Sequence, residues 1–150
     1  MSAALPVEIL LVEDDPQDME MTRRALMKAN LANHLALARD GAEALDFIFC
    51  EGAHAGRSIG DKPAVIFLDL KLPKIEGLEV LRRIKGDPRT RDIPVVVLTS
   101  SREHQDVIQS YQLGVNSYIV KPVSIESFTR AVQELGLYWL LLNQAPVVRG

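Results

Sequence analysis

The sequence predicts an α/β domain in which a parallel β-sheet lies between two layers of helices. Short apolar segments alternate with helical patterns in five repeats along the 150 residues. The strand segments are apolar almost throughout, which is typical of strands buried on both faces. Hydrophobic residues make up 47% of the chain and charged residues 25%, so a substantial core can form. Strands of this kind alternating with helices indicate the parallel, doubly covered arrangement.

The first two repeats are marked by strand runs and helix starts. Residues 8–12 form a short apolar run and predict the first strand. Asp15 followed by Pro16 is typical of a helix start, with the aspartate as N-cap and the proline in the first helical position. Residues 34–38 predict the second strand. Asp40 has capping-box spacing to a glutamate three residues later, which predicts the second helix.

The later repeats follow the same alternation. We predict a strand over 64–69, a helix over 77–85, a strand over 94–99, a helix over 103–113 and a strand over 117–120. Ser124 is expected to cap a last helix that begins at Ile125 and continues to about Asn143. Because little chain follows, we expect one domain over residues 1–150, with a C-terminal extension from about 137 and no output domain.

Composition narrows the possible functions. The net charge of −3 and the pI near 5.6 argue against the basic face that nucleic acid binding requires. Cys50 is the only cysteine, which excludes an internal disulfide and most zinc sites. Neither a secretory signal nor an apolar run long enough to span a membrane is visible, so we expect a cytoplasmic protein.

Polar residues collect at the predicted strand ends. In open parallel sheets, ligands bind beyond the carboxyl ends of the strands. The residues at those ends are Glu13, Asp14, Asp15, Asp69, Thr99, Ser100 and Lys121. Clustered carboxylates repel one another unless a cation neutralises them, and carboxylate oxygens with several waters suit magnesium. The sequence therefore predicts a Mg²⁺ site at this edge.

Each of these residues also has a simpler interpretation. Asp15 is best explained as the helix cap, and the two acids before it are compatible with a solvated loop. Thr99 is a good strand residue, and Lys121 alone reads as a surface lysine. Asp69 ends an apolar strand, where packing gives no reason for a carboxylate. Beside a metal, such a carboxylate can attack phosphorus, while a hydroxyl and an ammonium bind the phosphate oxygens.

These positions carry a resemblance to a known family. The matching residues are Glu13, Asp14, Asp69, Pro73, Gly77, Thr99, Lys121 and Pro122. Together they resemble the receiver domains of bacterial response regulators, over about residues 8–137. The resemblance implies a flavodoxin-like (βα)5 three-layer sandwich with strand order 2-1-3-4-5. It also implies a signalling switch rather than an ordinary enzyme, although one that catalyses its own phosphorylation and dephosphorylation.

The resemblance also implies roles for individual residues. Asp69 would accept a phosphoryl group from a sensor histidine kinase. Mg²⁺ would be held by Glu13, Asp14, Asp69 and the backbone carbonyl of Lys71. Lys121 would bind a phosphate oxygen through its side chain. The peptide bond between Lys121 and Pro122 would be cis.

The switch itself is expected at the neighbouring strands. Thr99, with Ser100 beside it, would move toward the phosphoryl group, and Tyr118 would swing inward behind it. The response would then pass through the protein's own surface, at Ser117, at Tyr118 and around residues 109–113. Lys71 also borders the phosphoryl group, and we predict that Lys71→Asn alters the lifetime of the phosphorylated state.

Finer details are similar to the small regulators paired with phytochromes. These are the segment 69–73, the long loop before the third strand, the segment 114–118 and the aromatic pair at 138–139. This likeness implies a phytochrome-type kinase, such as a bacteriophytochrome, and a homodimer. The side chains expected at the dimer interface are Leu137, Tyr138, Leu140 and Leu141. They are left over when one face of the last helix docks on the sheet, unless the chain bends back after Gly136 and buries them.

Three other classes compete with a receiver. A Mg²⁺-dependent phosphatase or phosphotransferase with Asp69 as nucleophile would need a second acid two residues later, where Lys71 stands. A flavodoxin would need a neutral loop after the first strand, whereas the acids from Glu13 to Asp15 would repel the phosphate of FMN. A receiver-like module that is never phosphorylated would not need the full set of pocket residues.

Overall fold

A computed structural model describes residues 8–28, 34–56, 62–72, 74–99 and 112–136. Its strands are β1 (Glu8–Val12), β2 (His34–Ala38), β3 (Val65–Asp69), β4 (Val95–Thr99) and β5 (Ser117–Val120). All neighbours pair in parallel, in the order β2-β1-β3-β4-β5. The predicted parallel sheet and its order are therefore confirmed, with strand ends that differ from the predicted ones by at most one residue.

Helices follow the strands as the alternation predicts. They are α1 (Pro16–Lys28), α2 (Gly41–Phe49), α3 (Gly77–Gly86) and α4 (Ile125–Glu134), with a 3₁₀ turn at Gly52–His54. The helix predicted over 103–113 lies almost wholly outside the described residues. None of the helices that the structure describes is long and apolar enough to cross a membrane.

The sheet is buried because alternate residues of each strand pack under different helices. In β1, Ile9 and Leu11 belong to a buried cluster with residues of α1 and α4. Leu10 and Val12 belong to a second cluster, with residues of α2 and α3. β3 and β4 are buried at every position, while β5 alternates buried and exposed residues as expected of an edge strand. The terminal residues of the central strands, Asp69 and Thr99, are therefore buried.

The helices begin where side-chain caps predict. Oδ1 of Asp15 accepts hydrogen bonds from the backbone N–H of Gln17, at 2.8 Å, and of Asp18. Oδ1 of Asp40 accepts one from Glu43 at 2.7 Å. Ser124 forms a reciprocal capping box at the start of α4. These contacts satisfy N–H groups that the first helical turn leaves unpaired.

The last helix is shorter than predicted. α4 ends at Glu134, and Gly136 takes a left-handed φ of 71°, a conformation that ends helices and that glycine adopts without strain. The prediction of one continuous helix to about Asn143 is therefore wrong. One face of α4 docks on the sheet as expected, and Phe128 and Val132 on that face are fully buried. The predicted dimer residues Leu137, Tyr138, Leu140 and Leu141 lie outside the described residues.

Candidate functional site

The strand order creates a crevice at the carboxyl edge of the sheet. β1 and β3 are neighbours, and the connections that follow them run to opposite faces of the sheet, to α1 and α3. Glu13 and Asp14 follow β1, and Asp69 ends β3. One carboxylate oxygen of each lies within 4.8 Å of the others. The fold thus brings together the three acids that the sequence predicts as metal ligands.

Lys121 closes this cluster from the end of β5. Its Nζ lies 2.6 Å from Oε1 of Glu13 and 2.8 Å from Oδ2 of Asp69. The side chains of Glu13 and Asp69 are 0% and 6% exposed, and that of Lys121 is 13% exposed. Asp14, by contrast, points to the surface. The site is therefore a partly dry pocket in which one ammonium faces two buried carboxylates.

Burial changes the protonation of these groups. It raises the pKa of Glu13 to about 8, and Asp69 acts in the same direction, while Lys121 offsets part of the rise. Burial alone would lower the pKa of Lys121, but its hydrogen bond to Asp69 and its close contact with Glu13 hold that pKa above its ordinary value. Lys121 therefore stays cationic, and Glu13 retains a proton that a metal cation can displace.

The backbone fixes Asp69 at the end of β3. The N–H of Lys71 donates to Oδ1 of Asp69 at 3.0 Å, and the N–H of Gly77 donates to the carbonyl of Leu70 at 3.1 Å. A Cβ at Gly77 would lie 2.4 Å from the carbonyl oxygen of Asp69. Only glycine lets α3 begin this close to the strand end. Gly77 therefore has a physical role in placing Asp69.

The predicted switch residues lie around the same pocket. Thr99 ends β4 and is buried, and its Oγ1 has no hydrogen-bond partner among the described residues. Tyr118 on β5 is 43% exposed. The Lys121–Pro122 peptide bond is cis, as predicted. Ser100 lies outside the described residues, so its place beside Thr99 stays a prediction.

The pocket fits a divalent metal and a phosphoryl group. Three carboxyl groups meet there, and two of them are buried against the ammonium of Lys121. Hard oxygen ligands of this kind suit Mg²⁺. The buried hydroxyl of Thr99 is a donor that nothing in the described chain uses, as expected of a group reserved for an added anion. The contribution of the Lys71 carbonyl stays a prediction.

Sequence reasoning missed two contacts near the site. Oδ2 of Asp18, in the first turn of α1, lies 3.1 Å from Nζ of Lys121. Lys74 has a left-handed φ of 68° and pairs with Asp40 at 3.2 Å, linking the loop after β3 to the start of α2. An acid in the first turn of a helix that starts beside the pocket was the available signal for Asp18. Nothing in the sequence pairs Lys74 with Asp40.

A family model and several known proteins resemble the chain in sequence. The sequence model of the response regulator receiver domain matches residues 9–133. The probable methanogenesis regulatory protein FilR2 of Methanothrix harundinacea is 42% identical over 147 residues, covering 97% of this chain and 92% of that protein. Response regulator Rcp1 of Synechocystis is 39% identical over 135 residues, covering 90% of each.

Solved structures agree in fold and in sequence. The bacteriophytochrome response regulator AtBRR is 54% identical, with a TM-score of 0.84, over 94% of this chain and 100% of that one. The Mn²⁺-bound form of response regulator Rcp1 is 37% identical, with a TM-score of 0.74, over 96% and 100%. The chain therefore belongs to the response regulator receiver domain family, phosphoacceptor switches that receive their phosphoryl group from histidine kinases.

Proposed function

We propose that this protein accepts its phosphoryl group on Asp69, in a reaction that requires Mg²⁺. The observation that carries the proposal is the buried contact of Lys121 with both Glu13 and Asp69. An ammonium in this position stabilises the negative charge that develops during phosphoryl transfer. Mg²⁺ would be held by Glu13, Asp14, Asp69 and the Lys71 carbonyl, and would supply positive charge to the same region.

The protein's own residues have distinct tasks in this scheme. The carboxylate of Asp69 attacks phosphorus as the bond from phosphorus to its donor breaks, which releases the kinase histidine or, from acetyl phosphate, acetate. The N–H of Lys71 keeps the Asp69 carboxylate in a fixed orientation. Lys121 binds a phosphoryl oxygen, and the hydroxyl of Thr99 donates to another. Because these groups are already in the pocket, the protein itself catalyses the transfer from a small donor and the later hydrolysis.

The switch begins when the hydroxyl of Thr99 donates a hydrogen bond to the phosphoryl group. Thr99 moves toward the phosphoryl group with Ser100 beside it, and Tyr118 leaves its exposed position to fill the space behind. A change of this kind shifts the balance between two surface states, which a target protein can distinguish. We place the output on this protein surface, not on nucleic acid.

The partner is a sensor histidine kinase of the bacteriophytochrome type. The supporting observation is the 54% identity to AtBRR, which is a bacteriophytochrome response regulator. A homodimer through Leu137, Tyr138, Leu140 and Leu141 remains part of the proposal, since apolar side chains in such number need a cover. A cytoplasmic location is also part of the proposal, because the protein would meet the phosphodonor domain of such a kinase there.

An enzyme that turns over phosphorylated substrates is not favoured. Such an enzyme needs a second acid near the nucleophile to protonate the leaving group. Two residues after Asp69 the side chain is that of Lys71, and the family match points to a switch.

The test is phosphorylation by a small acyl phosphate. The wild-type protein, incubated with acetyl phosphate and Mg²⁺, is expected to gain the mass of one phosphoryl group by intact mass spectrometry. Asp69→Asn should gain none. Asp87→Asn removes a partly exposed carboxylate that pairs with Arg89 outside the pocket, and should behave like wild type. The proposal fails if the wild type gains nothing, or if Asp69→Asn gains the group equally.

A further inference from the structure

A third carboxylate reaches Lys121 from outside the predicted metal site. Oδ2 of Asp18 lies 3.1 Å from Nζ of Lys121 and accepts a hydrogen bond from it. The same nitrogen lies 2.6 Å from Glu13 and 2.8 Å from Asp69. A lysine ammonium has three N–H donors. Two of these donors are used by the carboxylates of Asp18 and Asp69, and the carboxyl group of Glu13 lies in contact with the same ammonium.

Asp18 differs from the other two partners in exposure and in position. Its side chain is 36% exposed, whereas those of Glu13 and Asp69 are buried. Within the described part of the chain, the acids close enough to share one metal are Glu13, Asp14 and Asp69, without Asp18. A bound metal would therefore be coordinated by Glu13 and Asp69, while Asp18 would stay beside the ammonium of Lys121.

We propose that Asp18 is a positioning residue that takes one N–H of Lys121 and limits the positive charge this ammonium offers to a phosphoryl group. The inference rests on the proposed role of Asp69. Phosphorylation adds negative charge to the pocket, and a carboxylate beside Lys121 opposes that addition. Mg²⁺ carries the opposite charge, so the same carboxylate favours its binding. Asp18 thus acts on the two ligands of the pocket in opposite directions.

The effect is modest because Asp18 is partly in water. An ion pair this exposed is screened, so its removal should shift each binding constant roughly two- to fivefold. High salt should reduce both shifts, since screening weakens charges at the surface more than buried ones. A protein that was merely distorted at α1 would lose affinity for both ligands together.

Asp18→Asn isolates the charge, because the amide keeps the shape and an acceptor oxygen. We would measure the Mg²⁺ dissociation constant by calorimetry, and then the affinity for beryllofluoride, a phosphoryl mimic, at saturating Mg²⁺ by NMR. Mg²⁺ should bind roughly two- to fivefold more weakly, and beryllofluoride more tightly by a similar factor. The matched control is Glu20→Gln, which removes a charge from the same helix where Glu20 pairs with Arg23 and Arg24. It should leave both constants unchanged.

Three results would overturn the inference about Asp18: shifts of Asp18→Asn in the same direction, no shift in either constant, or the same opposite shifts in Glu20→Gln. A failure of the proposed function has a different signature. In that case the wild type itself would bind neither Mg²⁺ nor the mimic, and both proposals would fall together.

Discussion

Two groups of ion pairs in this molecule have similar chemistry in opposite surroundings. Lys121 meets Glu13 and Asp69 in a pocket where all three side chains are largely buried. On α3, Arg82 and Arg83 both pair with Glu79 on an exposed helix face. An exposed pair replaces contacts with water by contacts with the partner, so it adds little to the stability of the fold. Removing one partner of a buried pair leaves the other without compensation and destabilises the fold much more. Burial, rather than the number of charges, separates the site from the surface.

The largest effect should follow from removing the buried cation. Lys121→Met leaves the buried Asp69 carboxylate without a counter-ion, beside a protonated Glu13. The free energy of unfolding of the metal-free protein should fall by about 4 kcal/mol, measured by urea denaturation with a chelator present. Arg82→Met, the matched change at the exposed pair, should leave the urea midpoint close to that of wild type. Equal effects of the two substitutions would show that the buried and exposed pairs do not differ.

The second effect is a dependence of folding stability on pH that comes from the pocket. The folded pKa of Glu13, about 8, lies above its ordinary value of 4.5, so the folded state binds this proton more tightly. The resulting stability is fully present below about pH 4.5 and is lost as pH rises through about 8. For the metal-free protein the loss should be on the order of 3 kcal/mol.

Glu13→Gln separates this contribution from all others. The variant should show a flatter stability profile between mildly acidic and mildly alkaline buffers, measured by urea denaturation at each pH. Glu79→Gln changes an exposed glutamate and should keep the wild-type slope. A wild-type profile that rises over the same range would contradict the assigned protonation of Glu13.

A smaller effect is expected from the two ends of α3. At the pocket end, Gly77→Ala places a methyl group against the backbone of Asp69 and Leu70 and should cost about 2 kcal/mol. At the far end, nothing lies within 4 Å of a Cβ at Gly86, so Gly86→Ala should be neutral or slightly stabilising. Thermal unfolding of both variants checks the pair. Similar melting temperatures would mean that the close approach at Gly77 is not required.

The smallest effect concerns the exposed lysine beside the pocket. Lys71→Asn should shorten the lifetime of the phosphorylated protein roughly two- to tenfold, because it removes a cation that shields the phosphoryl group from water. Lys74→Asn makes the same change in the same loop, and asparagine tolerates the left-handed backbone there. Decay is followed by intact mass after removal of the donor. An identical decay rate in Lys71→Asn and wild type would refute this role.

The sheet and its edge could be predicted because their signals are local. Strands buried on both faces read as apolar runs, and the residue at which each run ends is then known to lie at the carboxyl edge. That reasoning places Asp69 and Lys121 near each other before any coordinates are known. The helix caps at Asp15 and Ser124 are equally local, since the cap and its N–H partners lie within one turn.

The missed features depend on distances that sequence spacing does not contain. Asp18 reads as a favourable acid in a first helical turn, and only the tertiary fold brings that turn of α1 to Lys121, the residue after β5. The early end of α4 was missed because the apolar pattern beyond Leu135 suited a longer helix, whereas Gly136 ended it. The raised pKa of Glu13 likewise depends on how completely the pocket excludes water.

The most direct test asks which residue carries the phosphoryl group. Borohydride reduces an acyl phosphate to an alcohol, so a phosphorylated aspartate becomes homoserine, which peptide mass mapping can locate. After incubation with the cognate kinase or acetyl phosphate and Mg²⁺, homoserine is expected at position 69 and at no other aspartate. Homoserine at Asp14, Asp15 or Asp18 with Asp69 unchanged, or its absence throughout, would contradict the assignment of Asp69.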